Sequence, residues 1–219
     1  MSADSPTLSA ERVLRWLDLS AAAYEAGKER LTELDSAIGD GDHGANMARG
    51  FAAVRQKIPD LLGKDVGFVF KTVATTLMGT VGGASGPLYG TLFLQAAQPA
   101  RGKASVTAAE LQAGLEAGLK GIVQLGKAAP GDKTLIDALA PAVEAFRPRN
   151  GEPLRAPVAR ALEAARAGAE GTIPLVARKG RASYLGERSA GHLDPGAASL
   201  VMLFEALLAA VSEEAAAAV

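Results

Sequence analysis

Apolar residues recur with helical spacing along almost the whole chain. Leu14, Leu17, Tyr24 and Leu31 share one face and predict a first helix over about 9–34. A second helix follows a loop at 35–44 and is expected to end before Pro59, whose ring lacks an N–H and clashes with the preceding turn. A third is expected over 65–78, and a fourth from about Pro87, a favourable first-turn residue, to about 97. The string Thr107-Ala-Ala-Glu110 is a capping box that opens a fifth. A sixth is expected over 134–146 and a seventh over 154–169. Asp194 and Pro195 cap and begin an eighth, which is apolar nearly all round through Leu200, Val201, Leu203, Phe204, Leu207 and Leu208. That pattern marks a central, buried helix. Strand signals are almost absent, since the short run 172–177 contains Pro174. The expectation is one all-α domain over residues 1–219, a barrel or bundle of about eight antiparallel helices, with an Ala-rich C-terminus that frays.

Glycines cluster at 39–44, 79–90, 126–131 and 180–196, between the expected helices. Each cluster leads into a helix N-terminus, where free backbone N–H groups attract phosphate. In an antiparallel bundle four such loops would converge at one end, where they would form a site.

Composition narrows the chemistry. With 219 residues the chain can bury a core without covalent staples. The absence of cysteine excludes disulfides, thiolate nucleophiles and Cys-based zinc sites, and two histidines fall short of a His-rich metal centre. A net charge of −1 offers no basic excess for nucleic acid or an anionic membrane. The N-terminus lacks a basic start followed by an apolar run, so a cytoplasmic location is expected. The stretch between Lys71 and Arg101 is uncharged and exceeds the roughly 20 residues that span a bilayer. Gly79, Gly82, Gly83, Gly86 and Pro87 interrupt its middle, so it reads as two helices meeting at a buried glycine loop.

The sharpest feature is Asp35-Ser-Ala-Ile-Gly-Asp40-Gly-Asp42-His43-Gly44. Unit charges roughly 4 Å apart repel by about 4 kcal/mol at an effective dielectric of about 20, so clustered carboxylates call for a cation or full exposure to water. A calcium hand starting at Asp40 fails, because Gly44 and Phe51 occupy the positions that should hold its fifth and twelfth residues. Oxygen donors without sulfur favour a hard ion, Mg²⁺ before Mn²⁺. Three nucleotide-motif look-alikes do not hold. Gly39-x-Gly41-x-x-Gly44 follows a helix instead of a strand, Gly121…Gly126-Lys127 continues into Ala128 where Ser or Thr is required, and Gly126…Lys133-Thr134 misses the phosphate-loop spacing by one. A nucleotide site here would have no Walker fold.

The acidic loop, the glycine loop Val81–Gly90, Pro130-Gly-Asp-Lys-Thr134, the basic stretch Arg178–Ser189 and Gly191-His-Leu-Asp-Pro-Gly196 occur in one order. Together they resemble the L subunit of dihydroxyacetone kinases over about residues 10–210. The resemblance implies eight antiparallel helices with a nucleotide at the rim of the barrel. It implies that Asp35, Asp40 and Asp42 hold two Mg²⁺ ions bridging the phosphates of ADP or ATP. His43, Gly44, Ala45, Asn46, Ala84 and Ser85 would line the nucleotide, Gly126 and Leu135 would flank adenine, and Arg181, Asp194, Pro195 and Gly196 would close the site. Methionine is common in the family at the position of Leu135. Arg181 is the expected basic catalytic residue, with Arg178 second.

His43 after the last Asp, where single-chain ATP-exchanging kinases commonly carry Cys, and the free-standing domain resemble the phosphotransferase-system type. There ADP stays bound and is rephosphorylated by a phosphohistidine on an M-type subunit, and the phosphoryl group passes to dihydroxyacetone on a K-type subunit. L subunits of this type also signal to a transcription regulator. Direct contact with nucleic acid or membrane is not expected, and a homodimer is left open.

Overall fold

The structure, a computed structural model, describes residues 5–212. The Ala-rich C-terminus expected to fray lies outside the described residues. The expected first helix is two, α1 (Ala10–Ala26) and α2 (Lys28–Ile38), broken at Gly27. A Cβ at Gly27 would displace only the flexible tip of the Met202 side chain. Next comes α3 (His43–Leu61), which runs through Pro59 instead of stopping before it. Only three residues remain from the proline to the helix end, so the forgone hydrogen bond falls in the terminal turn, where it disturbs least.

The chain continues with α4 (Val66–Thr80), α5 (Ser85–Ala96), α6 (Ala108–Gly126), α7 (Leu135–Ala145), α8 (Arg155–Glu170) and α9 (Pro195–Ser212), with a 3₁₀ segment Arg181–Ser189 between the last two. The Thr107–Glu110 capping box is present, and Thr134 with Asp137 forms a second at α7. Pro141 lies inside α7 and cannot donate to the Asp137 carbonyl. Gly168 of α8 packs against that same carbonyl, where any Cβ would collide. A short ribbon was not anticipated: β1 (Thr7–Ser9) pairs antiparallel with β2 (Ser105–Thr107), Leu8 facing Val106. Three-residue strands are too short to leave a period-2 signal.

Packing closes the helices into a ring: α1 against α3, then α4, α5, α6, α7, α8 and α9, which returns to α1. The ring has eight walls, as expected, because α2 extends from the end of α1 beside α3. Trp16 donates to the Leu203 carbonyl (2.9 Å) and Tyr24 to that of Ser199 (2.9 Å), so α1 and α9 run antiparallel. Aromatic rings fill the interior, with Trp16 edge-on to Phe70 at 6.2 Å and Tyr24 over Phe51 at 4.5 Å. By length and composition α9 could cross a bilayer, yet it forms one wall of this ring, with Leu200, Leu203, Phe204 and Leu207 buried. The uncharged stretch 72–100 is indeed two helices, α4 and α5, joined by a glycine loop.

The two ends of the ring differ. At one end backbone hydrogen bonds stitch the connections together: Val66 N–H to Lys103 O (2.8 Å), Ala10 to Ala104 (2.9 Å) and Leu154 to Ser5 (3.1 Å). At the other end the loops around 39–42, 81–84, 127–134 and 171–194 come together around open space, as the glycine clusters predicted. Gly44 sets the height of the acidic loop there, because α3 meets α2 so closely that a Cβ would collide with the Lys28 carbonyl and Thr32. Asp194 enters the last helix by accepting the Ala197 N–H (2.7 Å). Burial pushes its carboxyl up to about 7, against the pull of that N–H and of Lys133.

Gly44→Ala is expected to destabilise the fold by about 1–3 kcal/mol, since backbone on both sides blocks relief. Gly79→Ala, in the exposed last turn of α4 with open space around it, should stabilise by roughly 0.5–1 kcal/mol. Paired urea titrations check both signs. Because folding raises the Asp194 pKa above its unfolded value, the folded state binds the extra proton, and stability should fall as pH rises from about 4 to about 7. Asn caps a helix as well as Asp, so Asp194→Asn should fold and flatten that slope, read as Tm against pH.

Candidate functional site

Asp35 sits in the last turn of α2, only 7% exposed. Its Oδ2 accepts the N–H groups of Asp42 (2.9 Å) and His43 (3.1 Å), so the carboxylate caps the start of α3 from the preceding helix. Gly39 lies against its other oxygen, where a side chain would collide. The loop between is thereby folded back on itself, with Gly41 in the left-handed region (φ +75°). Carboxylate oxygens of Asp35, Asp40 and Asp42 then come within 4.8 Å of one another, Asp40 and Asp42 being exposed. An all-oxygen set of this spacing, one member buried and anchored, fits a hard divalent cation.

Across the cavity, the basic segment faces these acids. Arg181 Nη2 lies 3.1 Å from Asp40 Oδ2. Lys179 also lines the cavity, whereas Arg178 is exposed and does not. Beside the acids α5 begins at Ser85 without a side-chain cap, preceded by Gly82, Gly83 (φ +64°) and Ala84. Its first N–H groups are free to meet an anion. The same cavity, about 180 Å³, takes in Asp194, Pro195, Gly196 and Leu135. It adjoins a more apolar cavity of about 330 Å³ walled by Pro87, Leu88, Ile122, Leu125, Gly126 and Ile136, with Leu135 and Lys179 shared. Small-molecule sites typically begin at about 300 Å³. One end carries charge and free N–H groups, the other hydrocarbon.

Of the residues singled out from sequence, Asp35, Asp40, Asp42, His43, Ala84, Ser85, Leu135, Arg181, Asp194, Pro195 and Gly196 line the polar cavity, and Gly126 lines the apolar one. Gly44, Ala45 and Asn46 line neither. Gly44 faces α2, and Asn46 is buried beneath Gly82, accepting from Arg49 Nη2 (2.5 Å).

Other residues at the site were not anticipated. Lys133, in the string that imitates a phosphate loop, is buried in the left-handed region (φ +61°). Its ammonium donates to the carbonyls of Thr172 (2.5 Å), Ile173 (3.5 Å) and His192, tying the α6–α7 loop to the long α8–α9 connection. Burial lowers its pKa, opposed by Asp194 and Asp137. Only tertiary structure reveals three carbonyls from distant residues. Gly131 in Pro130-Gly-Asp-Lys was a fair signal of an unusual turn and none of where the lysine points.

His43 is buried, and its two ring nitrogens meet Ser199 Oγ (2.9 Å) and Ser85 Oγ (3.1 Å). Burial lowers its pKa more than nearby Asp35 and Asp42 raise it, which favours the neutral imidazole. Both ring nitrogens of His43 are thus engaged by hydroxyls.

The DAK2 domain pattern matches residues 37–209. The chain is 46% identical over 209 residues to the "PEP-dependent dihydroxyacetone kinase, ADP-binding subunit DhaL" of Escherichia coli, covering 94% of this chain and all of that one. A Listeria innocua protein with the corresponding title is 45% identical, over 92% of this chain and 97% of its own. Among solved structures, the dihydroxyacetone kinase from C. freundii in complex with AMP-PNP and Mg²⁺ superposes with a TM-score of 0.68 at 29% identity. It covers 90% of this chain, which spans 33% of that longer one. Motif order, helix ring and near full-length similarity agree: the chain belongs to the DAK2-domain family, alongside the ADP-binding subunits of dihydroxyacetone kinases.

Proposed function

We propose that this kinase subunit carries a magnesium nucleotide in the cavity at the open end of the ring. In this reading ADP is the resident acceptor, and a phosphohistidine on an M-type subunit recharges it. The phosphoryl group then passes to dihydroxyacetone held by a K-type subunit, in the cytoplasm. The observation that carries the proposal is the meeting of three carboxylates, an uncapped helix start and a basic segment around one cavity. The similarity to PEP-dependent dihydroxyacetone kinase ADP-binding subunits supports it.

Phosphoryl transfer asks for positioning and charge neutralisation more than covalent work by the protein. Asp35, Asp40 and Asp42 would hold Mg²⁺, with enough oxygens for two ions, and the metal when bound would neutralise phosphate charge. The first N–H groups of α5 would orient a phosphate from a second side. Arg181, 3.1 Å from Asp40, is placed to add positive charge next to the same groups, and Lys179 lies alongside. Pro87, Leu88, Ile122, Gly126 and Leu135 would receive the adenine and exclude water from one face. Acceptor identity belongs to the K-type partner, and dihydroxyacetone is favoured because the relatives of matching length carry that activity in their titles.

The double variant Asp40→Asn/Asp42→Asn should lose at least the roughly 10–100-fold in MgADP affinity that weakened metal-site support costs. Titration calorimetry reads this directly, and undiminished affinity would sink the metal reading. Native mass spectrometry of the purified chain should show co-purified ADP, whereas a nucleotide-free mass would argue against a resident cofactor.

A further inference from the structure

A chain of buried hydroxyls runs from the core of the ring to the lip of the cavity. Ser199, on α9 and fully buried, lies at its centre. Its Oγ has three partners: the Gly196 carbonyl at 2.9 Å, Tyr89 Oη at 2.7 Å and His43 Nε2 at 2.9 Å. A serine hydroxyl has one proton to give and two lone pairs with which to accept. The Gly196 carbonyl can only accept. If Ser199 gave its proton to His43 or Tyr89, two oxygens would face each other at 2.9 Å with no proton between them, a repulsive contact in a low-dielectric interior. The proton therefore goes to Gly196, and both other partners must donate to Ser199.

Tyr89 can do so, because burial raises its pKa and keeps the phenol protonated. Tyr24 is likewise protonated and spends its O–H on the Ser199 carbonyl. His43 must then carry its hydrogen on Nε2. A neutral imidazole with Nε2–H has a bare Nδ1, and the only hydroxyl at Nδ1 is that of Ser85, 3.1 Å away, which must donate.

We infer that Ser199 is a positioning residue: by fixing His43 as the Nε2–H tautomer it locks the Ser85 hydroxyl, the first side chain of α5, in one orientation at the cavity lip. In the free protein Ser85 points its proton inward at His43 and its lone pairs into the cavity. The cavity therefore meets a ligand with a pre-set oxygen and not a free rotor, and the setting originates one imidazole away, at a hydroxyl in the core. The hydrogen-bond assignment does not depend on the nucleotide reading; only its effect on affinity does.

The chain contains just two histidines, so nitrogen-15 spectra of the imidazoles are readable in the full-length protein, with His192→Gln assigning the signals. Without nucleotide, His43 is expected to show a protonated, pyrrole-type Nε2 and a bare, pyridine-type Nδ1. The reverse pattern, or a doubly protonated ring at neutral pH, would overturn the inference. Ser199→Ala should mix the two tautomers and weaken MgADP binding about three- to tenfold, the worth of one net hydrogen bond. Tyr89→Phe, which leaves the Ser199–Gly196 bond in place, should keep the Nε2–H form, and a tautomer switch there would also refute the role given to Ser199. Should Ser199→Ala fail to fold, the wild-type and Tyr89→Phe spectra still decide. Correct tautomers in a protein that does not bind MgADP would instead count against the proposed function and spare this inference.

Discussion

The open end of this molecule depends on one buried carboxylate. Asp35 belongs to α2, yet its oxygen accepts the N–H groups that begin α3. A charge of this kind is costly to bury unless donors are arranged around it, and here two backbone donors and the positive end of a helix supply them. The same contact folds residues 39–42 into a tight loop and thereby brings two further carboxylates alongside. Anchoring comes first and chemistry second, since Asp40 and Asp42 could not be gathered at a common point if the loop between the helices were free. Gly39 and Gly44 belong to this constraint, because each removes a side chain that would pry the junction apart.

Much of the architecture was legible in the sequence because helical periodicity, capping residues and glycine clusters are all local signals. Thr107 with Glu110 and Asp194 with Pro195 marked helix starts that the structure retains. The acidic loop was equally plain as a run of three carboxylates within eight residues, although the Asp35 contact is what brings their oxygens together. What escaped detection depended on distance. The break at Gly27 lies against the Met202 side chain, and nothing near Gly27 in the sequence announces that neighbour. Lys133 was passed over once the phosphate-loop spacing around it failed, and its ammonium belongs to carbonyls roughly forty to sixty residues away. Ser199, Tyr24 and Tyr89 read as ordinary positions in apolar helices until packing placed them around one imidazole.

The cavity itself combines two kinds of support. Its charged half rests on loops held by specific hydrogen bonds, notably those of Asp35, Lys133 and Asp194. Its apolar half rests on helix faces, where Ile122 and Ile136 are already part of the packed wall. Substitution should therefore be tolerated unevenly: hydrocarbon walls absorb changes of similar volume, whereas removing one partner from a buried polar contact leaves the other stranded.

The antiparallel closure of α9 on α1 fixes where the described residues begin and end. Trp16 meets Leu203 and Tyr24 meets Ser199, so the rising and descending helices are in register. Ser5 and Ser212 consequently lie at the stitched end of the ring, opposite the cavity. The first and last described residues therefore share the face of the ring that lies away from the cavity. A module laid out this way is suited to being tethered without being obstructed.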